Sequence, residues 1–445
     1  MKRIDYNKRM GLVDKILRTG NLTDACREVV RNKGSAGIDK MTVSELKAHL
    51  DKNRKMLENQ IRNKQYLPQP IRGKEIPKRN GKMRLLGIPT AVDRMLQQAT
   101  SRVLMLHYDL LFVNNSYGFR PQRNAQQAVG KAQGYINEGY KTIVDIDLKA
   151  FFDEVDHCLL LNILHRHIKC ESTLCMIRRW LRVPICINGK LVKRRKGVPQ
   201  GSPLSPLLSN IMLHELDLEM TRLGLRFVRY ADDFSIYCEN ETEAEEISRT
   251  VIGFLNQKLK LPINTEKSGI RNPSDFTVLG YTFFVRHADR LRDTYQLAVD
   301  DKRWETLKEK LKELTRKTAP MSFDQRMHKL KEVHRGWINY FKYAKITRKL
   351  EKLDGWLRNR IRYCIWHDWK KPERKRKNLI RLGVKPDMAY QWSRTRMGGW
   401  AVAQSPILGT TLTISRLVKR GYESMLSYYK QVNPSSQINS LFSIA

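Results

Sequence analysis

No run of apolar residues in this sequence is long enough to cross a bilayer, which takes about 20 in a row. The first ten residues carry charges without the apolar centre of a secretory signal. Cysteine is sparse: Cys26, Cys158, Cys170, Cys175, Cys186, Cys238 and Cys364 are scattered with no C-x-x-C pair. That pattern excludes a disulfide framework or zinc ribbon and fits a reducing compartment. Proline (16) and glycine (25) stand at ordinary levels, so fibrous or long low-complexity segments are excluded, and no internal repeat is visible. The strongest shortage is of acid. Against 83 Lys and Arg there are 45 Asp and Glu, a net charge of +38 over 445 residues. Self-repulsion on that scale points to a polyanionic partner. A ribosome-associated protein or an anionic-membrane binder would share the charge, but neither predicts acidic islands, and no segment reads as a basic membrane-surface helix.

Periodicity sets the organisation. Residues 6–67 read as basic helices with a loop at Gly34-Ser35-Ala36-Gly37-Ile38-Asp39, and Glu75–Ile88 as a β-like stretch turning at Gly81. Val92, Leu96, Ala99, Val103, Leu106 and Leu110 recur at three and four residues, one face of a long helix. Thr142–Asp147 reads as a buried strand, Asp153–His167 as a helix, and Leu225–Cys238 as two strands about a polar turn. Beyond residue 290 two helical faces follow, Trp304/Leu307/Leu311/Leu314 and Leu330/Val333/Trp337/Phe341, with basic residues opposite.

The acid that is present is clustered at strand ends: Asp145-Ile146-Asp147 in one place, Tyr230-Ala231-Asp232-Asp233 in another. Adjacent aspartates between apolar strands repel each other unless a divalent cation neutralises them. Two metal ions on shared carboxylates can activate a hydroxyl and stabilise a leaving oxygen in phosphoryl transfer. An isolated Asp-Asp would more often cap a turn; paired with a second acidic strand end it points to a metal. Alternation puts Asp145 and Asp147 on one strand face, so the pattern alone leaves the choice between them open. Asp153 and Asp156 suit helix starts.

Asp147-Leu148-Lys149-Ala150-Phe151-Phe152, Gln200-Gly201-Ser202-Pro203-Leu204-Ser205-Pro206 and Tyr230-Ala231-Asp232-Asp233 resemble, in that order, three palm motifs of reverse transcriptases. Ile76-Pro77-Lys78, Arg84, Gly87-Ile88-Pro89-Thr90 and Ser116-Tyr117-Gly118-Phe119-Arg120-Pro121 extend the resemblance to group II intron-encoded reverse transcriptase/maturases. It implies an α+β right-hand polymerase fold: fingers over 1–140, an antiparallel-sheet palm over 141–290, a helical thumb/maturase region over 291–385 and a basic nucleic-acid-binding region over 386–445. It implies two Mg²⁺, with Mn²⁺ as a substitute, on Asp147, Asp232, Asp233 and the carbonyl of Leu148. Lys78 and Arg84 would clasp the triphosphate. Phe151 and Phe152 would flank the sugar, Phe152 as the gate against a 2′-OH, although Phe151 reads equally as core. Gln200, Gly201 and Lys267 would line the nucleotide site, Arg120 would contact template or nucleotide, and Gly280-Tyr281 would grip the primer.

The partners so implied are an RNA template, a DNA or RNA primer, dNTPs and group II intron RNA, with no membrane, in a monomer or homodimer of the bacterial cytoplasm. Cys364 and His367 have no second pair to complete a zinc site, so the resemblance is to the compact type without an endonuclease domain. The expected function is RNA-directed DNA synthesis with assistance to splicing and mobility. A domesticated enzyme of phage defence or spacer acquisition, or a splicing-only maturase, is the alternative.

Overall fold

The β-branched and aromatic segments form strands in the computed structural model, which describes residues 10–77, 81, 83–286 and 294–434. In chain order these are β1 (Ile71–Pro77), β2 (Met83–Ile88), β3 (Thr142–Ile146), β4 (Ile185–Ile187), β5 (Lys190–Val192), β6 (Arg226–Tyr230), β7 (Asp233–Cys238), β8 (Gly269–Arg271), β9 (Thr277–Val278), β10 (Tyr281–Arg286) and β11 (Thr294–Val299). The chain divides into two units, Met1–Asn272 and Pro273–Ala445.

The first unit holds two sheets. One runs β2-β1-β4-β5, with β1 and β2 an antiparallel hairpin and β1 parallel to β4. The other runs β6-β7-β3-β8, antiparallel throughout. Strand β3 sends Val144 and Ile146 into the main core, where they join Phe227, Phe234 and Ile236 from the sheet and Leu207, Ile211, Val251 and Leu255 from helices. The helix Ser205–Arg222 is buried along most of its length, which locks the sheet from behind. In the helix Ala91–Tyr108 the buried set includes Met95, Leu96, Ala99, Leu104 and Tyr108. Leu106 and Leu110 were expected on that face, but they are 75% and 87% exposed. The helix stops at Tyr108, so Leu110 cannot follow its periodicity. The helix expected over 153–167 is two: Phe151–Glu154, then His157–His167 begun by the Asp156 carboxylate accepting from Leu159 N–H.

The second unit pairs the sheet β11-β10-β9 with helices that include Asp301–Leu314, Phe323–Phe341, Thr347–Asp368 and Met425–Val432. Its interior holds Tyr281, Phe283, Leu311, Ile338, Phe341, Leu350 and Leu357. Asp354, 2% exposed, accepts from Tyr422 Oη, Ser424 Oγ and the amides of Met425 and Leu426. Those bonds hold the start of the last helix to the long central one. Cys364 is buried and donates to the Thr315 carbonyl, an interior role as expected from its place on a helix. Among the described residues no helix is long and apolar enough to cross a membrane.

Candidate active site

Strand register places the two aspartates of the first acidic segment differently. In the β3–β7 pair Asp145 lies across from Ser235 and Ile146 from Phe234. Asp147 follows Ile146 and Asp233 precedes Phe234, so the same register carried one residue on would bring Asp147 and Asp233 across from each other at the open end of the sheet, and the two carboxylates are close enough to repel. Asp145 sits about 7 Å back along the strand, and its Oδ2 accepts from Arg271 Nε of β8 at 2.9 Å. Asp147 and Asp233 therefore face each other, while Asp145 is held by an arginine.

Asp232 is in the two-residue turn that joins β6 to β7, where Tyr230 pairs with Asp233. The first turn residue, Ala231, has φ +59°, a left-handed value unfavourable for a residue with a Cβ. Gly118 lies against this turn: a Cβ there would stand 2.2 Å from Ala231 N. Burial, and then repulsion from Asp147, raises the Asp232 carboxyl above the ordinary aspartate range. Burial, then repulsion from Asp232, Asp147 and Asp145, pushes Asp233 up to about 6, with Lys267 opposing. The fold thus holds like charges together at the end of a sheet, an arrangement that a hard cation with oxygen preference would relieve. Among the described residues no three His, Cys, Asp or Glu side chains close into a ready-made metal cage. Mg²⁺ keeps waters and substrate phosphates in its shell, so a partial protein donor set suits it.

Asp147 is held by the turn that follows residue 262. Asn264 donates its amide N–H to the Asp147 carbonyl at 2.7 Å and its side-chain Nδ2 to Asp147 Oδ2 at 3.0 Å. The Asp147 amide donates to Ser268 Oγ at 3.0 Å, and Lys267 Nζ stands 3.5 Å from Asp147 Oδ2. Lys149 N–H bonds to Pro262 O, so the two bonds to the 262–264 segment flank Leu148. The amide and carbonyl of Leu148 consequently face the other edge of the strand, the β7 side.

The remaining expected residues separate. Arg84 Nε donates to Gln200 Oε1, and Gly87 N–H donates to Gln200 O at 2.8 Å. Gly201 has φ +111°, and a Cβ on it would stand 2.6 Å from Gly87 O. Hairpin β1–β2 and the Gln200-Gly201 segment thus form one joined surface. Phe152 is half-buried, with its carbonyl accepting from Val198 N–H at 2.6 Å. Phe151 was expected at the nucleotide site; it is 2% exposed, and its ring belongs to the main core. Arg120 was expected at template or nucleotide, yet its side chain is 4% exposed. Its guanidinium donates to the Asp109 carboxylate and the carbonyls of Asp109, Val113 and Ser116, which fastens the 109–120 loop. Lys78 lies outside the described residues. Gly280 and Tyr281 belong to the second unit: Gly280 has φ +84°, but Tyr281 is fully buried and donates to Tyr340 O. Its ring is core, so the expected grip on a primer would fall to the backbone of this turn.

Two sets of residues went unread in the sequence. Asn264, which holds Asp147, carries no local pattern beyond its place in a turn. Arg229, with Asp217 and Asn210, lies fully buried behind the Ala231 turn. Its signal was present: an arginine inside an apolar strand needs a buried acid.

A family model described as "Reverse transcriptase (RNA-dependent DNA polymerase)" matches residues 76–283, and one described as "Group II intron, maturase-specific domain" matches residues 304–383. Protein YkfC of Escherichia coli K12 is 28% identical over 62% of this chain and 81% of its own length. The group II intron-encoded protein LtrA of Lactococcus lactis is 32% identical over 59% of this chain, which covers 44% of that longer protein. Among solved structures a partial Cas6-RT-Cas1–Cas2 complex aligns over 56% of this chain and 43% of that one, at 27% identity and a TM-score of 0.37. With a reverse transcriptase domain followed by a maturase-specific domain in one chain, the protein belongs to the group II intron-encoded reverse transcriptase/maturases.

Proposed function

We propose that this chain is an RNA-directed DNA polymerase that extends a DNA or RNA primer with dNTPs on an RNA template. The observation that carries the reading is the opposition of Asp147 and Asp233 across the end of an antiparallel sheet, with Asp232 in the adjoining turn. The primer 3′-oxygen attacks the α-phosphorus of the dNTP in line, the new phosphodiester forms, and the bond to pyrophosphate breaks. Two Mg²⁺ ions, or Mn²⁺ in their place, held by Asp147, Asp232, Asp233 and the Leu148 carbonyl, would stabilise the attacking and leaving oxygens.

The chain's own groups handle the rest. Arg84, exposed beside Gln200, offers a planar fork to the triphosphate, and Lys78 would add a point charge. Gln200 and Gly201 present backbone close to the nucleotide. The Phe152 ring limits room at the sugar 2′ position. Lys267, 68% exposed at its side chain and paired with Asp147, can turn to the phosphates and protonate pyrophosphate. Primer extension on an RNA template with Mg²⁺ tests the reading. Extension by the native chain should be abolished in Asp232→Asn; an inert native chain or a fully active variant sinks it.

The same chain binds group II intron RNA and assists splicing and retromobility. Support comes from the maturase-specific match and from the basic second unit. There Arg376 and Arg394 flank the half-exposed Tyr390 ring at 5.6 and 4.0 Å, and Lys375 stands over Trp366 at 4.4 Å. Arg303, Lys310, Trp337 and Tyr340 line a pocket of about 420 Å³. Cations beside aromatic faces suit phosphates and bases together. A splicing assay of the flanking intron at low Mg²⁺, with and without protein, decides this half: no protein-dependent gain removes it. Likeness to proteins of Escherichia coli and Lactococcus supports a bacterial cytoplasm as the setting.

A further inference from the structure

Behind the aspartate turn lies an ion pair with both side chains wholly excluded from solvent. Arg229 is the largest fully buried side chain among the described residues. It donates Nε to Asp217 Oδ1 at 2.7 Å and Nη2 to Asp217 Oδ2 at 2.5 Å. Its Nη1 donates both to Asn210 Oδ1 at 2.9 Å and to the Ala231 carbonyl at 2.8 Å. Asn210 passes the connection on, donating Nδ2 to the Gly118 carbonyl at 2.8 Å. Asn210 and Asp217 are seven residues apart on the helix Ser205–Arg222, two turns along one face.

Stability is a poor explanation for this group. A buried ion pair is often no more stabilising than apolar residues of the same volume, because desolvation offsets the attraction. What apolar residues cannot supply is direction. A planar guanidinium with its acceptors fixed holds the Ala231 carbonyl at one point, and Ala231 is the residue at φ +59°. Gly118, tied by Asn210, lies directly against the same turn. The backbone of Arg229 is itself paired with the segment before Gly118: its N–H donates to Asn115 O and its carbonyl accepts from Tyr117 N–H, both at 2.9 Å. One buried group therefore fixes both layers of the turn that presents Asp232.

We propose that Asp217, Arg229 and Asn210 form a buried positioning unit that holds the Ala231–Asp232 turn in the conformation that accepts a divalent cation. The unit acts through the turn and touches no substrate. It rests on the polymerase reading for its consequence in catalysis, but not for its effect on cation binding.

Removing one partner would strand a buried charge and confuse folding with function, so the test replaces both. In Asp217→Leu/Arg229→Met the charges disappear together. The melting temperature should stay at or above the native value. Mn²⁺ affinity, read by electron paramagnetic resonance without substrate, should fall about tenfold. Primer-extension kcat should fall roughly 100-fold with KM for dNTP little changed. Native Mn²⁺ affinity and native kcat in a variant of native stability would overturn the proposal. If the double variant does not fold, Asn210→Ala replaces it, with an expected Mn²⁺ loss of about tenfold and with unchanged affinity counting against the unit. A native protein that binds Mn²⁺ but extends no primer defeats the polymerase reading and leaves the Mn²⁺ comparison standing. A native protein that binds no Mn²⁺ overturns both.

Discussion

Asp354, buried in the second unit, and the aspartates at the open end of the β3–β7 pair are treated oppositely by the fold. Asp354 receives four donors, two from hydroxyls and two from backbone amides at the start of a helix. Nearby Glu423 accepts from Arg335 and bonds His334, and its carboxyl is held down to about 2, chiefly by the hydrogen bonds from Arg335. Asp233 instead faces Asp232, Asp147 and Asp145, and burial with their repulsion pushes it up to about 6. A carboxylate that holds a fold together has its lone pairs satisfied by the fold. One that waits for an external cation is left among its own kind.

The largest effect should come from Asp233→Asn. Primer extension should fall at least ~10³-fold, as expected when a principal charge-stabilising group is lost. The metal-free protein should at the same time lose no stability, since repulsion among the aspartates is relieved. A loss of both activity and stability would erase the distinction from Asp354. Asp354→Ala should show the opposite balance. It should cost the second unit about 3 kcal/mol, because hydroxyls and amides lose a buried acceptor, and leave the Mn²⁺ affinity of the first unit intact. Unfolding in urea followed by tryptophan fluorescence would measure it.

A smaller effect is expected at Asn264, which holds Asp147 without joining the charge cluster. Asn264→Ala should lower kcat on the order of tenfold, with Tm nearly unchanged. A silent variant would leave Asp147 positioned by strand register alone.

The smallest effect, in pH, has opposite signs in the two regions. Asp233 has a folded value raised above its unfolded one, so the folded state binds more protons between about 4 and about 6. Without metal, the first unit should lose stability as pH rises through that window, and added Mg²⁺ should abolish the loss. Glu423 is depressed, so its contribution is complete above the ordinary glutamate range and fades as pH falls toward 2. Thermal melts in chelator from pH 2 to 7 would record both. A first unit that gains stability between pH 4 and 6 would reverse the assignment.

Much of this is legible in the sequence. Local chemistry placed strands at Thr142–Asp147 and Leu225–Cys238, because alternation and β-branching act over a few residues. It also identified the Asp232-Asp233 turn, since adjacent aspartates between apolar strands are unfavourable without a partner. The break at Val155-Asp156 was half legible: Asp156 read as a helix start, but the short helix before it did not.

The sequence by itself determined which residue types could do metal chemistry, and the motif order determined the family they belong to. Only the tertiary structure decided which aspartate stands across from Asp233, because register is set by the pairing of β3 with β7. It also withdrew Phe151, Arg120 and the ring of Tyr281 into interior roles, since burial depends on elements far apart in the chain. The Arg229–Asp217–Asn210 unit is the clearest case. Arg229 alone stands out in sequence, as a charge inside an apolar strand, and only a closed core, where that charge must find its partner, joins it to Asp217 and Asn210 as one device.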